Sequence, residues 1–301
     1  MSKHILITGG TGFIGRALIP RWLAEGHNIT VLTRDAARAH RILSAHVQTV
    51  ADFNDIEGKV DRVLNLAGEG IADKRWSASR KQALRDSRIA LTERLVRWAQ
   101  STGQKFELVL SGSAVGYYGS VDGASPVFSE SSPPGKDFSA CLCIDWEQAV
   151  KPLEAISERV VLLRTGIVLG PRGGMLQRMW LPFSLGLGGV IGSGKQVISW
   201  IHLEDYLRAL DFLCDSSVSG PVNMTAPAPA TNKELTQALA SALHRPALMP
   251  MPEIMAKLVF GEMSDLLLKG QKVVPDMLAD SGFSYMYPKL GQALGEVANA
   301  W

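Results

Sequence analysis

The amino-acid sequence predicts an α/β fold with a doubly wound parallel sheet, and three observations predict it. Short runs rich in Val, Ile and Leu alternate with longer segments of helical period. The runs are apolar throughout, as in parallel strands that are covered on both faces. The chain also opens with a strand, a glycine-rich turn and a helix in direct succession. Strands and helices that alternate at this spacing are typical of a doubly wound sheet.

The first 170 residues contain the regular part of this pattern. Strands are predicted at His4–Thr8, Asn28–Thr33, Val47–Val50, Arg62–Leu66, Glu107–Ser111 and Val160–Thr165. Helices are predicted between them at Gly12–Glu25, Ser77–Ser101 and Phe138–Ala155. Pro20 lies inside the first helix, where we expect it to remove one backbone hydrogen bond and bend the axis.

The sequence changes character after Gly170. Pro171–Gly194 is rich in Gly and Pro and predicts loops that face a substrate. Thr231 and Glu234 have the spacing of a capping box, which opens a helix that reaches about Leu243. The other predicted elements are a helix at His202–Cys214, a strand at Val222–Thr225 and helices at Met251–Phe260, Asp276–Ala279 and Lys289–Ala298.

Composition and charge exclude several classes of partner. The 301 residues carry 31 Lys and Arg against 29 Asp and Glu, a net charge of +2, so nothing favours nucleic acid or an anionic membrane. No stretch reaches the roughly 18 apolar residues of a membrane helix, and the first strand starts too early to leave room for a signal peptide. The three cysteines lack zinc-like spacing. We expect a cytoplasmic protein without a bound metal, either a monomer or a homodimer.

The strongest motif is the glycine loop after the first strand. Its residues are Gly9, Gly10, Thr11, Gly12, Phe13, Ile14 and Gly15. Glycines at every third position permit a tight turn, close approach of the backbone to a diphosphate, and close packing of helix on strand. The amino end of the helix adds free N–H groups and a partial positive charge. The motif therefore predicts a dinucleotide site in a Rossmann-type fold.

The end of the second strand bears on the choice of dinucleotide. NAD sites usually place a carboxylate there to bind the ribose 2′-hydroxyl. Here Thr33 and Arg34 occupy the place, and a guanidinium suits a 2′-phosphate. Asp35 is expected to cap the next helix, and Asp52 is either an adenine contact or a turn residue. The pattern favours NADP(H) over NAD(H).

Two further segments point to the same ligand. Leu66, Ala67 and Gly68 end the fourth strand with small or apolar residues, as is needed where backbone passes close to a cofactor ribose. Arg88 falls on the apolar stripe of its helix, where an unpaired charge would be costly. A cofactor phosphate and a nearby carboxylate are both open as its partner.

Taken together, these residues resemble the extended, or atypical, short-chain dehydrogenase/reductase superfamily, in its NAD-dependent epimerase/dehydratase branch. More narrowly, the chain is similar to a group of epimerase family proteins with an extra C-terminal domain. The resemblance covers essentially the whole chain. It is carried by Thr8–Gly15, Asn65–Glu69, Ser111–Gly119, Leu163–Gly170, Pro182–Gly189, Ile191–Gly194 and Trp200–Asp205.

The resemblance implies a set of site residues. Cofactor contacts are implied for the glycine loop, Thr33, Arg34, Leu66, Ala67 and Arg88, with Gly68 and Glu69 in the same loop. It thereby favours phosphate as the partner of Arg88. Ser113 matches the hydroxyl that hydrogen-bonds a substrate carbonyl, and Gly188–Lys195 is implied to border the substrate pocket.

We divide the chain into an NADP(H)-binding Rossmann domain (1–170), a substrate-side region that re-enters the sheet (171–250) and a helical extension (251–301).

The helix after Ser113 departs from the superfamily's pattern. That pattern is Tyr-x-x-x-Lys, in which the lysine lowers the pKa of the tyrosine for acid–base catalysis. With Glu147 as the anchor, the pair falls on Ser139 and Cys143, and neither can replace the phenol.

Several substitutes for the missing phenol stay open. Tyr117 or Tyr118 can present a phenol from another direction. The segment Glu69–Trp76 adds charged groups near the mouth of the sheet. Cys143 is favoured as a buried apolar residue, and His202 as a helix cap.

Two functions follow from these residues. The first is an oxidoreductase or epimerase-like enzyme that uses NADP(H) on a small polar substrate, such as a nucleotide sugar, with Ser113 and Tyr117 as candidate catalytic residues. The second is a non-catalytic protein that binds NADP(H) and responds to it. The complete cofactor motif beside Ser113 favours the enzyme.

Overall fold

A computed structural model describes residues 2–122 and 126–301. Its strands are β1 (His4–Thr8), β2 (Asn28–Leu32), β3 (Gln48–Val50), β4 (Arg62–Asn65), β5 (Phe106–Ala114), β6 (Val127–Phe128), β7 (Ser157–Thr165), β8 (Ile167–Leu169), β9 (Val197–Ile198), β10 (Trp200–His202), β11 (Gly220–Met224), β12 (Ala230–Thr231) and β13 (Lys272–Val273). Its α-helices are α1 (Phe13–Ala24), α2 (Ala36–Ile42), α3 (Ala78–Arg85), α4 (Leu91–Ser101), α5 (Phe138–Val150), α6 (Leu176–Ser184), α7 (Leu203–Asp215), α8 (Asn232–Ala242), α9 (Glu253–Phe260), α10 (Asp265–Leu268), α11 (Asp276–Asp280) and α12 (Leu290–Asn299).

Seven strands form one central sheet in the order β11-β7-β5-β4-β1-β2-β3. Every neighbouring pair is parallel, which confirms the predicted doubly wound fold. The strand order reverses between β1 and β4. In sheets of this type, ligands bind in the crevice beyond the carboxyl ends of the strands at that reversal.

Each face of the sheet carries its own apolar cluster. Because side chains alternate along a strand, Ile5 and Ile7 of β1 belong to one cluster and Leu6 to the other. The first cluster is closed by α1 and α7, and the second by α4 and α5. The sheet is therefore buried on both faces, as its continuous apolar runs predict.

The C-terminal region is mostly helical and has a cluster of its own. Leu235 and Leu239 of α8 pack with Leu294 and Val297 of α12 in this cluster. The predicted capping box is present, because Thr231 Oγ1 accepts from Glu234 N at 3.2 Å and the Glu234 carboxylate accepts from Thr231 N at 2.7 Å. No helix in the described ranges has the length and apolarity to cross a bilayer.

Three details differ from the predicted elements. Strand β5 is longer than predicted and runs on to Ala114. The predicted helix over 77–101 contains a π-helical turn at Asp86–Ala90 between α3 and α4. The expectation of loops throughout 171–194 is wrong for α6, which forms with Pro182 inside it. The flanking glycines conceal this helix in the sequence, while its buried Leu176 and Phe183 hold it in the C-terminal cluster.

Candidate functional site

The glycine loop lies at the reversal of the sheet, between β1 and the start of α1. Gly9 has φ +75°, and a Cβ there would lie 2.7 Å from the Leu66 carbonyl carbon and 2.8 Å from Ala67 N. A Cβ on Gly15 would lie 2.6 Å from Gly10 Cα. Gly9 and Gly15 are thus required by close backbone approaches.

The amino end of α1 is open. Gly12 is its N-cap, and no side chain caps it. The first N–H groups of α1 therefore lack intrahelical partners and point out of the helix towards the crevice. Such an end stabilises an anion through both hydrogen bonds and the helix dipole.

Phe13, inside the glycine loop, packs against a second set of glycines. Its ring lies where Cβ atoms on Gly170 and Gly173 would stand, at 3.0 Å and 2.0 Å from the nearest ring atoms. Gly174 also adjoins the ring and has φ +59°. The ring packs into this glycine cradle, residues 170, 173 and 174, and so holds the glycine loop against the segment that leads into α6.

Polar side chains line the strand ends beneath the crevice. Thr8 Oγ1 donates to Asn65 Oδ1 at 2.7 Å and accepts from Ala67 N at 3.2 Å. Asn65 Nδ2 donates to Thr92 Oγ1 at 2.9 Å. These bonds fix the turn after β4, where the sequence predicts a close approach to a cofactor ribose.

At the end of β2, Asp35 is the helix cap that the sequence predicts. Asp35 caps α2, because its carboxylate accepts from Arg38 N at 2.8 Å. Thr33 Oγ1 accepts from Asp35 N at 3.2 Å. The Arg34 side chain is exposed and forms no ion pair within the described ranges. A free guanidinium thus stands where an NAD site would have a carboxylate.

Asp52 is held as a turn residue. Its carboxylate accepts from Asn54 N at 3.0 Å and from Arg94 Nη2 at 2.8 Å. It also forms a capping box with Asp55 around a short 3₁₀ turn. These bonds account for the aspartate without an adenine contact.

Arg88 projects from the π-helical turn towards the loop after β4. Its Nη2 donates to Glu69 O at 2.8 Å, and its Nη1 donates to Leu84 O at 3.2 Å. A Cβ on Gly68 would lie 2.9 Å from Arg88 Cζ. Within the described part of the chain no carboxylate pairs with Arg88, and burial lowers its pKa. The alternative of a carboxylate partner is therefore wrong. The Arg88 guanidinium is held by backbone oxygens and lies 5.4 Å from the centre of the Trp146 ring, beside the crevice.

Two ion pairs hold the segment 69–76 in place beside the crevice. Arg80 of α3 pairs with the Glu69 carboxylate, and Arg178 of α6 pairs with Asp73. Glu69 therefore meets the crevice through its backbone, since its carboxylate is engaged. The ion pair between Arg178 and Asp73 holds α6 against this segment.

Ser113 belongs to a buried ionic network. Its Oγ donates to Glu147 Oε1 at 2.7 Å, and Ser113 is only 4% exposed. Arg164 binds both oxygens of Glu147, at 2.9 Å from Nε and 3.0 Å from Nη2. Burial lowers the pKa of Arg164, but the hydrogen bonds and charge of Glu147 outweigh it and the net shift is upward. The only hydroxyl hydrogen of Ser113 is therefore used inside the protein.

The two tyrosines after Ser113 differ sharply. Tyr118 accepts from Arg164 Nη1 at 3.1 Å and donates to Asn223 Oδ1 at 2.6 Å, and burial raises the pKa of its phenol. Tyr117 stacks its ring on Arg164, with the guanidinium carbon 3.5 Å from the ring centroid. Among the residues that the structure describes, none hydrogen-bonds to the Tyr117 hydroxyl. Tyr117 thus keeps a free phenol at the end of β5, and Tyr118 does not.

The positions of the missing Tyr-x-x-x-Lys pair face the same turn. A Cβ on Gly116 would lie 3.3 Å from Ser139 Cβ and 3.7 Å from Cys143 Sγ. Both residues are buried, and burial raises the pKa of the Cys143 thiol to about 12. Cys143 is therefore an apolar filler, and its thiol is not a nucleophile near neutral pH.

We expect iodoacetamide at pH 8 to label one cysteine in the native protein. Cys141 is exposed, while Cys143 and Cys214 are buried and burial raises the pKa of each to about 12. The thiolate is the reactive species, so the buried pair should react only after unfolding. Intact-mass spectrometry should show one adduct in buffer and three in guanidinium. Two or more rapid native adducts would contradict this environment for Cys143.

His202 is a structural residue. Its Nδ1 accepts from Glu204 N at 3.2 Å and caps α7, and its Nε2 lies 2.7 Å from Glu296 of α12. It also packs against the Tyr287 ring. Both ring nitrogens are occupied, as the interpretation as a helix cap expects.

The network of Glu147, Arg164 and Asn223 was not predicted from the sequence. Ser113, Arg164 and Asn223 lie side by side on β5, β7 and β11. One signal was present: Arg164 interrupts an apolar strand, as Arg88 interrupts an apolar helix face. A buried arginine requires an anion, and Glu147 supplies it.

Comparisons with known proteins agree on the family. The model described as "NAD dependent epimerase/dehydratase family" matches residues 5–225, and a domain of unknown function, DUF1731, matches residues 251–297. An epimerase family protein of Mycobacterium bovis is 42% identical, covering 97% of this chain and 96% of its own. Epimerase family protein SDR39U1 of Bos taurus is 39% identical, covering 98% and 99%.

A solved structure supports the same family assignment. The crystal structure of human epimerase family protein SDR39U1 with NADPH superimposes with a TM-score of 0.87 at 34% identity, covering 99% of this chain and 100% of that one. The fold, the glycine loop and these matches agree over nearly the whole length. The chain belongs to the NAD dependent epimerase/dehydratase family, in the group of epimerase family proteins that includes SDR39U1.

Proposed function

We propose that this protein binds NADP(H) and uses it to transfer hydride to or from an oxygen-bearing carbon of a small polar substrate. The observation that carries the proposal is the uncapped amino end of α1, which faces the crevice at the reversal of the sheet behind a loop of sterically required glycines. The human relative crystallised with NADPH supports it. Isothermal titration calorimetry of the purified chain with NADPH and NADH tests it, and absence of heat with both would refute it.

Arg34 is proposed to select the phosphorylated ribose. Its exposed guanidinium ends β2, and Thr33 and the glycine loop complete the proposed phosphate and ribose contacts. Leu66, Ala67, Gly68 and the backbone of Glu69 are proposed to border the nicotinamide ribose. Arg88, whose charge is unpaired within the described residues, adds a cation there. A bound dinucleotide would supply hydride chemistry, and these residues would hold and orient it.

We expect Arg34→Ala to weaken NADPH binding about 10- to 100-fold, because a charge-assisted hydrogen bond contributes roughly 1.5–3 kcal/mol. Affinity for NADH should change by less than about twofold, since NADH lacks the 2′-phosphate that a guanidinium binds. Calorimetry with both dinucleotides measures the difference. Arg41→Ala, in the last turn of α2, the helix that follows Arg34, is the matched control and should bind both as wild type does. An equal loss for NADPH and NADH would contradict selection by Arg34.

The proton-transfer group is proposed to be Tyr117. Cys143 is buried with its pKa raised, Tyr118 is tied to Arg164 and Asn223, and the hydrogen of Ser113 goes to Glu147. Tyr117 alone of these four keeps a polar hydrogen without a partner among the described residues. In this arrangement Ser113 offers a ligand its lone pairs and so suits a substrate hydroxyl. Stopped-flow absorbance of bound NADPH against a panel of carbonyl and sugar-nucleotide compounds tests the chemistry.

A second function is favoured by one observation, the replacement of Tyr-x-x-x-Lys by the buried Ser139 and Cys143. On this alternative the chain binds NADP(H) without turnover and responds to it through a change of state. Such a protein must bind a partner differently with and without the dinucleotide. Identical partner binding in both conditions would exclude it, and hydride transfer to any compound of the panel would exclude it as well.

A further inference from the structure

An apolar surface in the C-terminal half is large enough for a stable protein interface. Twelve large apolar side chains are exposed among the described residues, and nine of them lie in two short stretches of chain. We call these nine the α6–α9 face: Leu181, Leu185, Leu187, Leu248, Met249, Ile254, Met255, Leu258 and Val259. Each is between 48% and 81% exposed.

Backbone hydrogen bonds join the stretches into one surface. Met249 N donates to Gly188 O at 3.0 Å, and Met251 N donates to Val190 O at 2.9 Å. These bonds bring the segment after α6 against the segment before α9. Along α9, Ile254 and Leu258 are one helical turn apart, as are Met255 and Val259, so these four side chains form an apolar stripe beside the exposed ion pair of Glu253 and Lys257.

The size of the face sets it apart from ordinary surface. The nine residues together expose on the order of 1,000 Å² of surface, whereas the largest apolar patch on a typical monomer is roughly 300–600 Å². A twofold contact uses the same face twice and would bury about 2,000 Å² in total, within the range of stable dimers.

Composition favours a second copy of this chain over another partner. The face contains Leu, Met, Ile and Val and lacks the Trp, Tyr and Arg that dominate hot spots between different proteins. Homodimer interfaces are the more apolar class. Two ion pairs at its border are internal to the chain, since Glu253 pairs with Lys257 at 2.6 Å and Arg178 pairs with Asp73. Arg245, which donates to Ser184 O at 3.1 Å, adds a positive charge at the same border.

We infer that the α6–α9 face is the interface of a twofold homodimer, in which α9 of one protomer packs against the same face of its partner. This inference is independent of the proposed cofactor chemistry. The site described above lies at the reversal of the sheet and is built from other residues.

Sedimentation velocity of the full chain between about 0.1 and 50 μM tests the inference. We expect the wild type to sediment with twice the mass of one chain. The double variant Ile254→Glu, Leu258→Glu should be monomeric, with association weakened at least 100-fold, because two apolar anchors become charges. Ile42→Glu changes an exposed apolar residue outside the face and is the matched control, which should remain dimeric.

Two further measurements distinguish loss of the interface from loss of folding. Both parent positions are highly exposed, so the double variant should melt and bind NADPH as the wild type does. The variant Leu181→Glu, Leu185→Glu alters α6 instead and should also yield monomers. A wild type that is monomeric at every concentration overturns the inference, and so does a dimer that survives both double variants. NADPH calorimetry on the monomers reports separately on the cofactor site.

Discussion

Replacing Glu147 by Gln is expected to lower the free energy of unfolding by about 3–5 kcal/mol, because it removes one partner of a buried ion pair. Arg164 would keep its charge, and its side chain is only 4% exposed. Ser113 would also lose a charged acceptor. The melting temperature should fall by roughly 5–8 °C for a chain of this size. Thermal unfolding followed by circular dichroism measures the change.

Glu93→Gln is the matched control for this experiment. Glu93 lies on the neighbouring helix α4 and faces Arg97 at 3.9 Å, with both side chains more than half exposed. Exposed pairs contribute about 0–1 kcal/mol, so this variant should melt close to wild type. If Glu147→Gln melted as Glu93→Gln does, the network would not be the tie between β5, α5 and β7 that the structure shows.

Tyr117→Phe is expected to slow hydride transfer about 10²- to 10⁴-fold, the usual contribution of a positioned acid or base. NADPH affinity should stay within about twofold, because the ring and its stacking on Arg164 are retained. Single-turnover absorbance of NADPH with a compound from the carbonyl panel gives the rate, and calorimetry gives the affinity.

Tyr118→Phe separates the acid–base role from a structural one. Its hydroxyl is bonded to Arg164 and Asn223, so its removal should cost about 1–3 kcal/mol of stability and leave the single-turnover rate near wild type. Equal rates for wild type and Tyr117→Phe would remove Tyr117 from the chemistry. A rate loss in Tyr118→Phe alone would assign the proton transfer to Tyr118 and would contradict the role proposed for Tyr117.

The sequence predicts the nucleotide-binding half of the fold well because its signals are local. Apolar runs, helical period and the capping group of Asp35 each act within a few residues. The glycine loop is equally local, and the close approach of Gly9 to Leu66 and Ala67 gives the physical reason for that residue. Helix α6 was missed because proline and glycine conceal its period, although burial of Leu176 and Phe183 stabilises it.

The candidate site is harder to predict, since its contacts join strands far apart in sequence. Ser113, Arg164 and Asn223 come side by side only after the sheet places β5 beside β7 and β7 beside β11. Arg88 shows the same difficulty. Its position on an apolar stripe required an anion, but only the structure shows that its protein partners are neutral oxygens, such as those of Glu69 and Leu84.

Phe13 makes the two ends of the crevice energetically dependent on each other. Its ring is part of the loop proposed to hold the diphosphate, yet its seat is the glycine cradle just ahead of α6. A dinucleotide that immobilises the loop would also immobilise that cradle, and a substrate that shifts α6 would disturb the grip on the diphosphate. Because such coupling is reciprocal, each ligand would alter the affinity for the other by the same factor.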